Sequence, residues 1–179
     1  MKEKISIILM CNIFMMFNIY SSNYTLPIIN LGFIPDFDQI FVLLAPYNIN
    51  NYDKIRIGKK NDGGYIVPHE FSYMIQRCYT YGAGTDISFE LDLNKLNDNI
   101  ITYIYDHTTD YPEMIKENIF FKKEGLASEK MDPLNTFYNH LNENKDNDKQ
   151  LLLKLDIEGA EWDILDNLNE ILLTNVAVL

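Results

Sequence analysis

After Tyr52 the chain alternates apolar strand-like runs with segments of helical period, and this alternation restricts its fold more than any other feature. Cys78–Tyr81 is a short strand run that stops at Gly82. Phe89, Leu93 and Leu96 then recur at helical spacing, which predicts one buried helix face. Ile100–Tyr105, rich in Ile and Tyr, is a second strand. Tyr111–Asn118 is expected to form a short helix, and Ile119–Phe121 a third strand that turns at Gly125. Asp132-Pro133 predicts a helix start, a capping carboxylate followed by proline in the first turn, with Leu134, Phe137, Tyr138 and Leu141 as its apolar face. Leu151–Leu155 is broken only by Lys154 and suits a central strand covered on both sides. Trp162, Leu165, Leu168 and Leu172 mark a further helix, and Asn175–Leu179 begins a fifth strand. Such alternation points to an α/β domain with a doubly wound, mostly parallel sheet.

Upstream the pattern is different. Lys2 and Lys4 precede an apolar run from Ile5 to Tyr20, so residues 1–22 read as a signal peptide or membrane anchor, with a plain buried helix as the alternative. Residues 23–50, punctuated by Pro27, Pro35 and Pro46, read as a stem, and residues 51–179 as the folded domain. Asn142 to Gln150 is polar and reads as a solvated loop. Cys11 and Cys78 make no disulfide framework and are expected as buried or membrane-facing thiols. A hydrophobic content of 47% is enough for a core. A net charge of −11 repels a polyanion, so nucleic acid is not expected as a partner.

Ligands of doubly wound sheets bind beyond the carboxyl ends of the strands, and three motifs fall there. Tyr81-Gly82-Ala83-Gly84-Thr85-Asp86 joins the first strand to its helix. Its glycines permit a sharp turn and close approach of a ligand to the backbone, or serve a structural turn alone. Asp106 ends the second strand, 24 residues after Gly82, where an acid accepts hydrogen bonds from ribose hydroxyls or caps the next segment. Lys154-Leu155-Asp156-Ile157-Glu158-Gly159-Ala160-Glu161 crowds three acids at the end of the central strand. Asp156 and Glu158 are candidates to orient a substrate hydroxyl or a cofactor ammonium group. Glu161 also suits a helix N-terminus, and Lys154 a pairing with an acid. Asn61-Asp62-Gly63-Gly64-Tyr65 predicts a turn: a hairpin between Ile55–Ile57 and Tyr65–Val67, or a loop folding over a ligand. His107 follows Asp106 and so lies near the cleft; with His69 and His140 it shows no metal spacing.

Taken in order, Arg56-Ile57-Gly58, Asp62-Gly63-Gly64-Tyr65, Gly82-Ala83-Gly84-Thr85-Asp86-Ile87-Ser88-Phe89-Glu90, Asp106-His107-Thr108 and Lys154-Leu155-Asp156-Ile157-Glu158-Gly159-Ala160-Glu161-Trp162 resemble the methyltransferase-like group that includes methyltransferase-like protein 24, related to the FkbM-type sugar O-methyltransferases. The likeness runs from about Tyr52 to Leu179. It implies a Rossmann-like class I methyltransferase fold and S-adenosyl-L-methionine as cofactor. Tyr81, Gly82, Gly84, Asp86, Glu90, Asp106 and Asp156 would then be the cofactor-binding set, and Asp156, Glu158 or His107 the catalytic base. No resident metal is implied. Ile87 stands where many methyltransferases carry a third glycine. The family domain also carries strands after the fifth, so the chain reads as C-terminally incomplete.

The leading expectation is therefore methyl transfer to oxygen of an unidentified acceptor. A second is a degenerate, non-catalytic domain acting as a membrane-tethered binding module. A nicotinamide dehydrogenase shares the glycine loop and ribose acid, but has no natural use for the acids from Asp156 to Glu161.

Overall fold

A computed structural model describes residues 8–11, 14–17, 53–60, 62–168 and 176–178. The backbones of β1 (Ile8–Cys11) and β2 (Phe14–Phe17) pair as an antiparallel ribbon. The remainder of the expected leader, and all of the stem, lie outside the described residues. Among those residues no helix is long and apolar enough to cross a membrane.

The domain opens with a hairpin of β3 (Lys54–Gly58) and β4 (Gly64–Pro68), paired from Lys54↔Pro68 to Gly58↔Gly64. Its inward residues Ile57, Tyr65 and Val67 are buried and alternate with exposed Arg56 and Ile66, the period-2 signature of a strand with one covered face. One turn of helix, α1 (Phe71–Met74), leads into β5 (Arg77–Tyr81). Then follow α2 (Ser88–Leu96), β6 (Ile101–Tyr105), β7 (Met114–Lys116), β8 (Ile119–Lys122), β9 (Gly125–Leu126), β10 (Leu134–Asn135), α3 (Phe137–Asn144), β11 (Leu151–Leu155), α4 (Glu161–Asn167) and β12 (Val176–Val178).

Six strands form one mixed sheet in the order β12-β11-β5-β6-β8-β7. All its pairings are parallel except that of the edge strand β7 with β8. The α/β architecture with a mostly parallel sheet is thus as expected. The two faces are covered by different elements. Cys78 and Leu152 face Phe89 and Leu93 of α2 together with the hairpin residues Ile57, Tyr65 and Val67. Tyr79, Tyr81, Tyr105, Leu153 and Leu155 face Phe137 and Leu141 of α3 and Ile164 of α4. A fully buried side chain of this size contributes roughly 1.5–3 kcal/mol, so β11, buried along its whole length, is a principal stabilising strand.

Five sequence expectations need correction. Leu96, expected on the buried face of α2 with Phe89 and Leu93, is exposed near the end of that helix. Tyr111–Asn118 holds the strand β7 and no helix: Met114 and Lys116 are exposed while Ile115 packs on the Ile104, Ile119 and Phe121 cluster. An edge strand needs only one buried side chain here, and Phe121 N–H reaches back to Glu113 O at 2.8 Å. Asp132-Pro133 does not start a helix. That peptide is cis, and Leu134–Asn135 instead pairs in parallel with Gly125–Leu126. α3 begins at Phe137, capped by Thr136, whose hydroxyl accepts Asn139 N–H at 3.2 Å, and Tyr138 is exposed. Asn142 to Gln150 is not wholly solvated: Asp146 is buried, accepting from Tyr79 Oη and from Arg77 Nε, each at 2.8 Å. In α4 the buried apolar residue is Ile164, with Leu165 and Leu168 partly buried beside it, while Trp162 is exposed; Leu172 lies outside the described residues.

Candidate functional site

β5 and β11 are neighbours in the sheet, yet the helices that follow them diverge, α2 to one face and α4 to the other. That divergence opens a crevice above their carboxyl ends. The crevice is a cavity of about 550 Å³, within the range of roughly 300–1,000 Å³ usual for small-molecule sites.

The glycine loop forms one wall. Gly82 has φ +78°, and a Cβ there would stand 1.9 Å from the carbonyl oxygen of Asp156. Its own N–H donates to Tyr105 O at 3.1 Å, and Asp156 N–H donates to Tyr81 O at 3.0 Å. Gly82 is therefore required for the approach of the three strand ends to one another. Gly84, at φ +54°, is different: a Cβ there would meet nothing within 4 Å, so this backbone borders open space.

Asp106 stands at the end of β6, almost fully buried. Its Oδ2 accepts Gly84 N–H at 2.8 Å, and its Oδ1 accepts the Thr108 amide at 2.8 Å and the Thr108 hydroxyl at 2.6 Å. Burial opposes the charge, but these three bonds outweigh it and hold the carboxyl below the usual aspartate range. The capping role expected as an alternative is thus present, together with a tie to the glycine loop. Asp86 is likewise held low, its partial burial outweighed by Ser88 N–H and by the Lys59 ammonium at 3.1 Å.

The opposite wall is the loop after β11. Asp156 Oδ2 accepts the phenol of Tyr65 at 3.1 Å, which brings the hairpin onto the site. Burial and the Asp156 charge raise the Tyr65 phenol well above its ordinary value. The Asp-Gly-Gly segment is the turn of a hairpin, one of its two expected readings, and Asp62 in that turn lines the cavity. Glu158 is exposed at the rim and has φ +59°, rare for a residue with a side chain. Glu161 holds it there, accepting Ile157 N–H and Gly159 N–H at 2.7 Å each from the first turn of α4. His107 is exposed and lies over Gly125, where a Cβ would come within 2.6 Å of its Nδ1.

Gly82, Gly84, Asp86, Asp106, His107, Asp156 and Glu158 thus all line one cavity. Tyr81 and Glu90 do not. The Tyr81 ring is fully buried on the α3 face, its hydroxyl 2.8 Å from His140 Nδ1. Glu90 is fully buried on the inner face of α2, accepting Thr80 Oγ1 at 2.8 Å and lying 3.6 Å from Lys154 Nζ. Lys154 accordingly has the acid partner that its sequence context allowed, and its ammonium lies 5.3 Å from the centroid of the Tyr65 ring. Cys78 is a free buried thiol whose pKa burial pushes up to about 12.

The sequence marks Asp62 only as part of a hairpin turn or of a loop folding over a ligand, and it assigns the apolar wall of Leu126, Leu134 and Ile157 no place in the site. Asp62 carried a usable signal in the hairpin motif, but the apolar residues did not, because they come from separate segments without shared period. Among the described residues no group of three or more His, Cys, Asp or Glu could hold a metal ion. In comparisons with known proteins, the chain matches no family model, no curated sequence and no solved structure.

Proposed function

We propose that the protein is a class I methyltransferase that binds S-adenosyl-L-methionine in this cavity and methylates a hydroxyl oxygen of its acceptor. One observation carries the reading. Among the described residues the cavity is lined by five carboxylates, Asp62, Asp86, Asp106, Asp156 and Glu158, and by no lysine or arginine. That lining favours a cofactor bearing a sulfonium and an ammonium group, and it repels the two phosphates of a nicotinamide dinucleotide. The sheet order supports the reading as well, since glycine loop, ribose acid and Asp156 follow three adjacent parallel strands.

The residues present suit this cofactor. Gly84 leaves room at the loop, Asp106 keeps acceptor capacity on Oδ2, and Ala83, Leu126, Leu134 and Ile157 supply apolar surface for a purine. When bound, the cofactor supplies an electrophilic methyl group on sulfur. The protein's task is then to align the acceptor hydroxyl and take its proton, so positioning provides much of the rate. Asp156, Glu158 and His107 border the same cavity as proton acceptors. Tyr65 fixes Asp156, and the Glu161 clamp fixes the loop that carries Glu158.

Calorimetric titration of the purified protein with S-adenosylhomocysteine, S-adenosyl-L-methionine and NAD tests the proposal. Binding of the adenosyl sulfur compounds, with no heat from NAD, is the expected result. Binding of NAD without response to the other two would overturn it.

A further inference from the structure

His140 is fully buried on α3, and both of its ring nitrogens are engaged. Nδ1 lies 2.8 Å from Tyr81 Oη and Nε2 lies 3.1 Å from Glu124 Oε2. An ionised carboxylate only accepts, so Nε2 carries the ring proton and Nδ1 accepts the Tyr81 hydroxyl. The ring stacks on Tyr105 with centroids 3.9 Å apart, which leaves it little freedom to tilt. Lys122 Nζ, 2.7 Å from Glu124 and 2.8 Å from Glu143, keeps the far end charged and in place.

What this chain of bonds connects gives it a role. Tyr81 immediately precedes Gly82, and Glu124 immediately precedes Gly125. Both glycines line the cavity, on different walls, and His107 rests on Gly125. None of Tyr81, His140 and Glu124 borders the cavity itself.

We propose that His140 is a positioning residue, the centre of a buried strut Tyr81–His140–Glu124 that holds the glycine-loop wall and the Gly125 wall at a fixed separation and so sets the affinity for the adenosyl cofactor. The affinity clause rests on the methyltransferase reading; the strut does not. A glutamine at 140 retains one acceptor and one donor at the end of its side chain, to be offered to Tyr81 and Glu124, whereas leucine removes both bonds. Tyr81→Phe removes one hydroxyl and keeps the packing.

The test is hydrogen–deuterium exchange of the full chain, wild type beside H140L, H140Q and Y81F, with S-adenosylhomocysteine titrated into each. H140L and Y81F are expected to speed exchange in residues 81–86 and 124–127 while residues 54–68 of the hairpin stay unchanged, and H140Q to match wild type. The Kd should rise about fivefold for the one bond lost in Y81F, more in H140L, and little in H140Q. Uniform acceleration along the chain, no change at either wall, or an H140Q as impaired as H140L would overturn the strut. If H140L does not fold, Y81F against H140Q decides the same question. Local exchange changes in a protein that binds no S-adenosylhomocysteine would uphold the strut and overturn the affinity clause together with the methyltransferase reading.

Discussion

The phenol of Tyr65 donates to the carboxylate of Asp156 across 91 positions of sequence, joining the N-terminal hairpin to the end of the central strand at 3.1 Å. The Tyr65 ring also packs edge-on against Phe89, with centroids 5.4 Å apart. The residue thus combines a packing role, carried by the ring, with a polar role, carried by the hydroxyl. Tyr65→Phe separates them. We expect a stability loss of about 1 kcal/mol, the net worth of one hydrogen bond, and, on the methyltransferase reading proposed above, a weaker affinity for S-adenosylhomocysteine as Asp156 is freed. Urea denaturation and calorimetric titration of the variant measure the two effects.

The two loop glycines should respond unequally to alanine. At Gly82 the new Cβ meets backbone, the Asp156 carbonyl, and the backbone is left-handed. Gly82→Ala is expected to cost about 3 kcal/mol or more. At Gly84 there is space, so only the left-handed backbone opposes alanine, at about 1–2 kcal/mol. Denaturation midpoints of the two variants, compared side by side, check the ordering.

Lys154 and Glu90 form a buried pair, 3% and 0% exposed, with Glu90 Oε2 lacking a hydrogen-bond partner. Removing one charge strands the other, so Lys154→Met or Glu90→Leu alone should cost about 3–5 kcal/mol. The double variant should recover most of that loss, because packing then replaces an ion pair that must repay its desolvation. A double-mutant cycle of unfolding free energies reads the coupling directly.

Acid should weaken the fold in two stages. Burial holds His140 below the ordinary histidine value despite the nearby Glu124 carboxylate. The unfolded chain therefore takes up a proton that the fold refuses once the pH falls below about 6.5, and stability declines from there. Glu124 is also held low, since Lys122 and His140 outweigh its burial. Its contribution is complete above the ordinary glutamate value and is lost as the pH drops through the lower folded value. Thermal melting between neutral and acidic pH should show both stages, and H140Q should remove the upper one.

Glu158 holds its left-handed backbone against intrinsic preference. Glu158→Gly should raise stability by about 0.5–1 kcal/mol, the relief of the left-handed backbone less the entropic cost of glycine, provided the Glu161 clamp remains. Glu161→Gln should lower it, because two bonds to a charged acceptor are weakened. Equilibrium unfolding of the two variants tests the opposite signs.

The sequence by itself determined the α/β class, the order of the five parallel strands along the chain, the burial of Phe89 and Leu93 on α2 and the three strand-end motifs. Apolar period and turn chemistry are local, and a parallel sheet brings successive strand ends to one side, so Gly82, Asp106 and Asp156 were legible as neighbours. Local signals also misled. Proline after aspartate at 132 reads as a helix cap, yet the backbone of Leu134–Asn135 found partners at Gly125–Leu126 instead. Only the tertiary structure decided which polar residues face the cavity and which lie beneath it. Glu90 and Tyr81 sit in motifs that look ligand-facing, but a strand or helix residue points where its period sends it, and both point into the core. Their partners, Lys154 and His140, lie 64 and 59 positions away in the chain. No local pattern encodes such pairs: a buried polar group must be satisfied by whatever the packed fold brings within reach.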